Sequence, residues 1–91
     1  MTITVSTVAH DTREEYSREV ELPIVPEREE VVIVDNMKNV VRERKFVDRG
    51  NVQLVCDCWT RTTGEGLSKM GWRNTQNVPY HNGEKKLAKK K

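Results

Sequence analysis

Alternation of apolar and polar positions marks out most of the first sixty residues. Ile3 and Val5 alternate with Thr4 and Ser6, and the β-branched residues around them suit a pleated, half-buried surface. A polar stretch, His10 to Glu15, interrupts the pattern. Tyr16, Val20 and Leu22 then share one parity and Glu19 and Glu21 the other, which predicts a second strand. Arg18 falls on the apolar parity and is expected near an edge, where its head reaches water. Pro23 and Pro26 end that strand, because neither donates to a ladder. Glu27-Arg28-Glu29-Glu30 has helix-forming character, but the β-branched run Val31-Val32-Ile33-Val34 argues for a strand. Four consecutive apolar residues predict one covered on both faces, or one crossing a barrel interior.

Asp35 to Asn39 reads as a turn, and Val40 to Val47 as the next strand. Its alternation breaks phase, since Val40 and Phe46 share one parity and Val41 and Val47 the other; a bulge near Arg44 reconciles them. Asp48-Arg49-Gly50-Asn51 has the residue types of a three-residue hairpin with a bulge. Beyond it Val52, Leu54, Cys56 and Cys58 point one way, and Gln53, Val55, Asp57 and Trp59 the other. Five strands with short connections predict a mainly β fold, an antiparallel meander left as a curled sheet or closed into a small barrel.

The periodicity stops after Thr60. Leu67, Met70 and Trp72 have the spacing of one helical stripe, but Gly66 and Gly71 bracket it closely. The expectation is therefore a β domain over 1–60, an irregular extension over 61–83 with apolar residues able to pack on the sheet, and a basic tail over 84–91. Eight tail residues are too few to hold a helix in water, and their lysines repel one another.

Charge sharpens that division. Residues 1–60 carry 8 Lys/Arg against 12 Asp/Glu, whereas residues 61–91 carry 8 against 2. Hydrophobic residue types number 25 in the first stretch and 7 in the second, so the core must come mainly from the strands. A folded part of this size buries only about 60% of the surface its unfolded chain exposes; oligomerisation, a metal or a partner would add support. No apolar run approaches the roughly 18 residues of a membrane helix, and the N-terminus lacks the pattern of a signal peptide. The expected location is cytoplasmic, in the producing or host cell.

The basic stretch is the first candidate for function. Lys85, Lys86, Lys89, Lys90 and Lys91 cluster at the end, with Arg61, Lys69 and Arg73 upstream. Trp72 and Tyr80 lie between them as flat surfaces for unpaired bases. Such an arm would bind nucleic acid without sequence preference and with strong salt dependence; the alternatives are docking on an acidic protein surface and a plain solvated tail. A second candidate is protein recognition through Trp59. It is either covered by the 67–72 segment folding back or left as an exposed aromatic anchor. A third is zinc. Cys56, Cys58, His81 and His10 are every Cys and His in the chain and would complete a tetrahedral set. Cys-x-Cys lacks the usual knuckle spacing, however, and the simpler reading is two small residues on the inner face of a strand. No triad, phosphate loop or cofactor motif is present, so an enzyme is not expected.

Glu21-Leu22-Pro23-Ile24-Val25-Pro26, followed by a β-branched strand and a hairpin, resembles a pattern in small uncharacterised phage-encoded β-meander proteins over residues 16–58. In that pattern a Gly follows the second Pro; here Glu27 does. The resemblance implies a phage or viral origin and an accessory or virion role. The leading expectation is a small non-enzymatic binding protein whose basic arm contacts nucleic acid. The alternative is a protein-interaction module, a structural subunit or an inhibitor of a host protein, whose arm docks on a partner; a homo-oligomer is also compatible, and an unpaired edge at either end of the meander could accept a partner's strand.

Overall fold

A computed structural model of the chain describes residues 1–46 and 51–75. The elements are β1 (Thr2–Val8), β2 (Glu15–Glu21), β3 (Val31–Val34), β4 (Met37–Phe46), β5 (Val52–Cys58), α1 (Gly64–Lys69) and β6 (Arg73–Asn74). The six strands form one curled sheet, a half-barrel, in the order β3-β4-β5-β1-β2-β6. The fold is mainly β, but it is not a five-stranded antiparallel meander. β1 runs parallel to β5, with Ile3 opposite Val52 and Ser6 opposite Val55. The cause is the 22–30 connection, which carries the chain from β2 to the far edge. From there β3, β4 and β5 are laid back toward the unpaired side of β1 as antiparallel neighbours.

The concave face holds the core. Ile3 and Val5 from β1, Val32 and Val34 from β3, Val41 from β4, and Val52, Leu54, Cys56 and Cys58 from β5 are buried there. The β5 set is the one the sequence alternation marks. β3 departs from expectation. As an outer strand it buries Val32 and Val34 but leaves Val31 43% and Ile33 60% exposed, so it is covered on one face only. The turn after it is also shorter than expected. Asp35 and Asn36 alone make it, at φ 52° and 64°, the two positive values of a type I′ hairpin that Asp and Asn tolerate. Met37 to Asn39 therefore belongs to β4, where Asn39 is fully buried and its Nδ2 donates to the Met37 carbonyl at 3.1 Å. The bulge in β4 falls at Arg42, between Val41 and Glu43, two residues before Arg44. The Asp48–Gly50 turn lies outside the described residues.

The stretch after Thr60 is not irregular through Thr75. Thr63 caps α1, its hydroxyl accepting from the Gly66 N–H at 3.0 Å. Leu67 is fully buried and Trp72 is 3% exposed, while Met70 faces solvent. β6 then pairs with β2, Asn74 opposite Tyr16 and Arg73 opposite Ser17. Polar contacts to the β1–β2 connection help to hold this segment in place. His10 Nδ1 accepts from the Thr62 N–H at 3.1 Å, and Asp11 Oδ1 accepts from the Gly64 N–H at 2.9 Å. Among the described residues no helix is long and apolar enough to cross a membrane.

Candidate interaction face

Strand parity decides which groups the half-barrel presents outward. Across the β3–β4 hairpin Ile33 stands opposite Lys38 and Val31 opposite Val40, with Val31, Ile33 and Lys38 on the convex side. Trp59, just past β5, continues that row, because its N–H donates to the Lys38 carbonyl at 2.8 Å. The Lys38 ammonium lies 5.9 Å from the centre of the Trp59 ring, a cation–π distance. Trp59 remains 62% exposed. The segment 67–72 therefore does not cover it: Leu67 and Trp72 are committed to the concave side, and the indole stays in solvent.

Next to this row the 22–26 segment and the outer edge of β3 enclose an open groove of about 400 Å³, lined by Leu22, Pro23, Ile24, Pro26, Val31 and Ile33. Ile24 is 70% exposed. Val25 and part of Leu22 pack on the core, which fixes the groove wall. Glu30 also lines the groove, its Oε1 accepting from the Glu27 N–H at 2.7 Å, and several charges on the neighbouring strands are paired. Arg42 spans Glu29 at 2.9 Å and Asp57 at 2.8 Å, and Arg44 reaches Glu27 at 2.8 Å. The Asp57 hydrogen bond, followed by the Glu29 charge, raises the Arg42 guanidinium above its ordinary value. The face is thus apolar at its centre, with Glu30 and the paired Arg42 and Arg44 around it.

The residues expected for nucleic acid are not brought together in this way. Trp72 is buried, and its Nε1 donates to Asp35 Oδ2 at 2.9 Å, so it offers no face to a base; an indole with a carboxylate partner inside the curl is part of the core. Lys69 is exposed and pairs with Glu65 at 3.3 Å. Arg61 and Arg73 are exposed. Tyr80, Lys85, Lys86, Lys89, Lys90 and Lys91 lie outside the described residues, as does His81. Of the zinc set, Cys56 and Cys58 are free and buried. Burial, then the neighbouring Asp57 and Cys58, pushes the Cys56 thiol up to about 12; burial likewise raises Cys58. Among the described residues no group of three or more His, Cys, Asp or Glu is placed to hold a metal.

Ile24, Val31 and Ile33 were not expected to function at all. For Val31 and Ile33 the signal was the four-residue apolar run itself, which at a sheet edge must leave every second side chain uncovered. Comparison with protein-family models, curated proteins and solved structures finds no match, so the functional reading rests on the chain's own surface.

Proposed function

We propose that this chain is a non-enzymatic protein-interaction module that docks through the convex side of β3 and β4 and the adjoining Trp59. The observation that carries this reading is the exposed Trp59 set in one row with Lys38 and Ile33, beside an apolar groove. Large aromatic side chains of this kind dominate binding energy once a partner dehydrates them. The Lys38 ammonium, 5.9 Å from the ring centre, favours this placement of the ring by a weak cation–π contact. A structural subunit and an inhibitor of another protein both fit this class. A photoreactive phenylalanine analogue placed at position 59 in the producing cell tests it. The expected result is a discrete crosslinked species that disappears when Ile33→Lys is added. An adduct pattern no different from that of the same probe at exposed Glu65 would overturn the reading.

A second reading, a basic arm that contacts nucleic acid without sequence preference, is supported by exposed Arg61 and Arg73 at the root of the lysine-rich stretch. Removing residues 84–91 should then abolish binding to single-stranded DNA and RNA at low salt. Unchanged binding would end that reading.

A further inference from the structure

The outer edge of β3 has a hydrogen-bonding pattern that can be derived residue by residue. In a hairpin with a two-residue turn, the residues flanking the turn exchange both backbone hydrogen bonds. Val34 and Met37 flank Asp35-Asn36, so Val34 bonds to β4, and by alternation so does Val32. The chain just before β3 continues this pattern, since the Val41 N–H donates to the Glu30 carbonyl at 2.9 Å. The N–H and C=O of Val31 and Ile33 therefore point away from β4, toward the outer edge. Among the described residues no strand lies there.

We infer that β3 pairs antiparallel with β3 of a second copy of this chain about a two-fold axis through Val32. This inference rests on the interaction-face reading and names its partner. In that register Val31 of one copy faces Ile33 of the other, and the reverse. These two residues carry the outward-pointing groups, so both pairs are of the hydrogen-bonded type and the contact closes four backbone bonds. No other residue in β3 could supply them. The pattern is self-complementary because Val31 and Ile33 are two positions apart and both apolar on the convex side. Their side chains stack across the axis with β-branched neighbours, a favourable cross-strand pair.

The charges nearby permit the approach. Glu30 would face Val34 of the second copy, and its Oε1 is already occupied by the Glu27 N–H at 2.7 Å. Glu29 would face Asp35, but Glu29 holds Arg42 at 2.9 Å and Asp35 lies 3.6 Å from Arg18. No carboxylate comes to the axis without its own cation or donor. β3 itself contains no Lys, no Pro and no inward-pointing charge, and the 22–26 segment stands across an open groove from it, so the second copy's strand enters that groove. A four-residue strand makes a small contact, in the weak class below about 1,200 Å² in total, so association is concentration-dependent.

The experiment is sedimentation equilibrium of the full chain from about 5 to about 500 µM, combined with amide exchange at both ends of that range. The expected result is a mass that doubles with concentration, with Val31 and Ile33 amides protected only in the concentrated sample and Val32 and Val34 amides protected in both. Ile33→Pro removes one outward N–H without touching a β4 bond, and proline is tolerated at that kind of edge position. It should keep the wild-type circular dichroism and remain monomeric. A monomer throughout, or equal exchange of Val31 and Ile33 amides at both concentrations, would overturn self-pairing. A dimer that survives Ile33→Pro would do the same. A monomer that still crosslinks a different protein through position 59 would end self-pairing while leaving the interaction-module reading intact.

Discussion

A Cβ built on Gly64 would lie 2.5 Å from the Tyr16 hydroxyl and 3.3 Å from the Thr12 methyl, so α1 begins at a distance from β2 that only glycine allows. Gly64→Ala should cost about 1–3 kcal/mol, as overpacking does, read as a lower urea midpoint at unchanged slope. Tyr16→Phe removes the clashing oxygen together with the 3.3 Å contact it accepts from Asn74 Nδ2. On its own it should destabilise slightly, and in the Gly64→Ala background it should recover stability, a coupling that a double-mutant cycle reads directly. The inner-face cysteines give a second test. Because burial raises the folded Cys56 thiol from 9.0 to about 12, the unfolded chain loses that proton first as pH rises. Stability is then fully present below about pH 9 and falls between about 9 and 12, by up to about 1.4 kcal/mol per pH unit for this group. Cys56→Val should show a shallower alkaline decline in the same window. A neutral thiol reagent at pH 8 should label neither cysteine in the native chain and both in urea. Both inner positions were legible from alternation alone, since Val52-x-Leu54-x-Cys56-x-Cys58 allows no other parity. Gly64 was not, because the tyrosine it approaches is 48 residues away and nothing local reports that distance.

At the level of elements, the curl is closed at one end by a polar clasp. Asp35 sits in the β3–β4 turn, yet it accepts from Trp72 Nε1 at 2.9 Å and lies 3.6 Å from Arg18 Nε on β2. Arg18 also donates to the Met70 carbonyl at 2.6 Å. One carboxylate thus joins the two ends of a six-stranded sheet. Asp35→Asn keeps an oxygen for the indole and a residue that tolerates positive φ, so it should cost about 1 kcal/mol or less, the worth of a partly exposed ion pair. Asp35→Ala strips the buried indole N–H of its acceptor and strains the turn, and should cost about 2 kcal/mol more. Native Trp fluorescence separates the two indoles. Iodide should quench Trp59 and spare Trp72 in the wild type, and Asp35→Ala should make Trp72 quenchable as well. Arg18 on an apolar parity was visible in the sequence, and an edge was a reasonable inference for it, because a guanidinium in that position needs a polar outlet. The outlet being Asp35 was not visible, nor was the parallel pairing of β1 with β5. Periodicity assigns faces to a strand but does not name its neighbour. The helical stripe at Leu67, Met70 and Trp72 was set aside because glycines bracket it; α1 forms earlier, over Gly64–Lys69, held by its Thr63 cap and the burial of Leu67.

For the molecule as a whole, the change of composition near Thr60 does not coincide with the end of the core. Leu67 and Trp72 belong to the same buried cluster as Ile3, Val5 and Leu54, and β6 extends the sheet beyond β2. The charge shift is real in sequence, but burial follows individual side chains, and two large ones lie past the boundary. A chain ended at Thr60 would lose both, along with β6 and the clasp on Asp35. Truncating a buried Leu costs about 2–5 kcal/mol and a buried Trp about 3–5. Their sum approaches the entire stability of an ordinary domain, about 5–15 kcal/mol, and a body this small sits at the low end of that range. The 1–60 chain should therefore lack a cooperative thermal transition and show collapsed amide dispersion in a nitrogen–proton spectrum, whereas full-length Trp72→Phe, which keeps most of the apolar volume, should melt cooperatively at a lower temperature. A dispersed spectrum from 1–60 would mean that the five longer strands close on their own and that Trp72 is an addition to a finished core. The structure argues against that outcome, because Leu67 and Trp72 are buried in one cluster with Tyr16 of β2 and Val32 and Val34 of β3, and the Trp72 indole also donates to Asp35 in the β3–β4 turn.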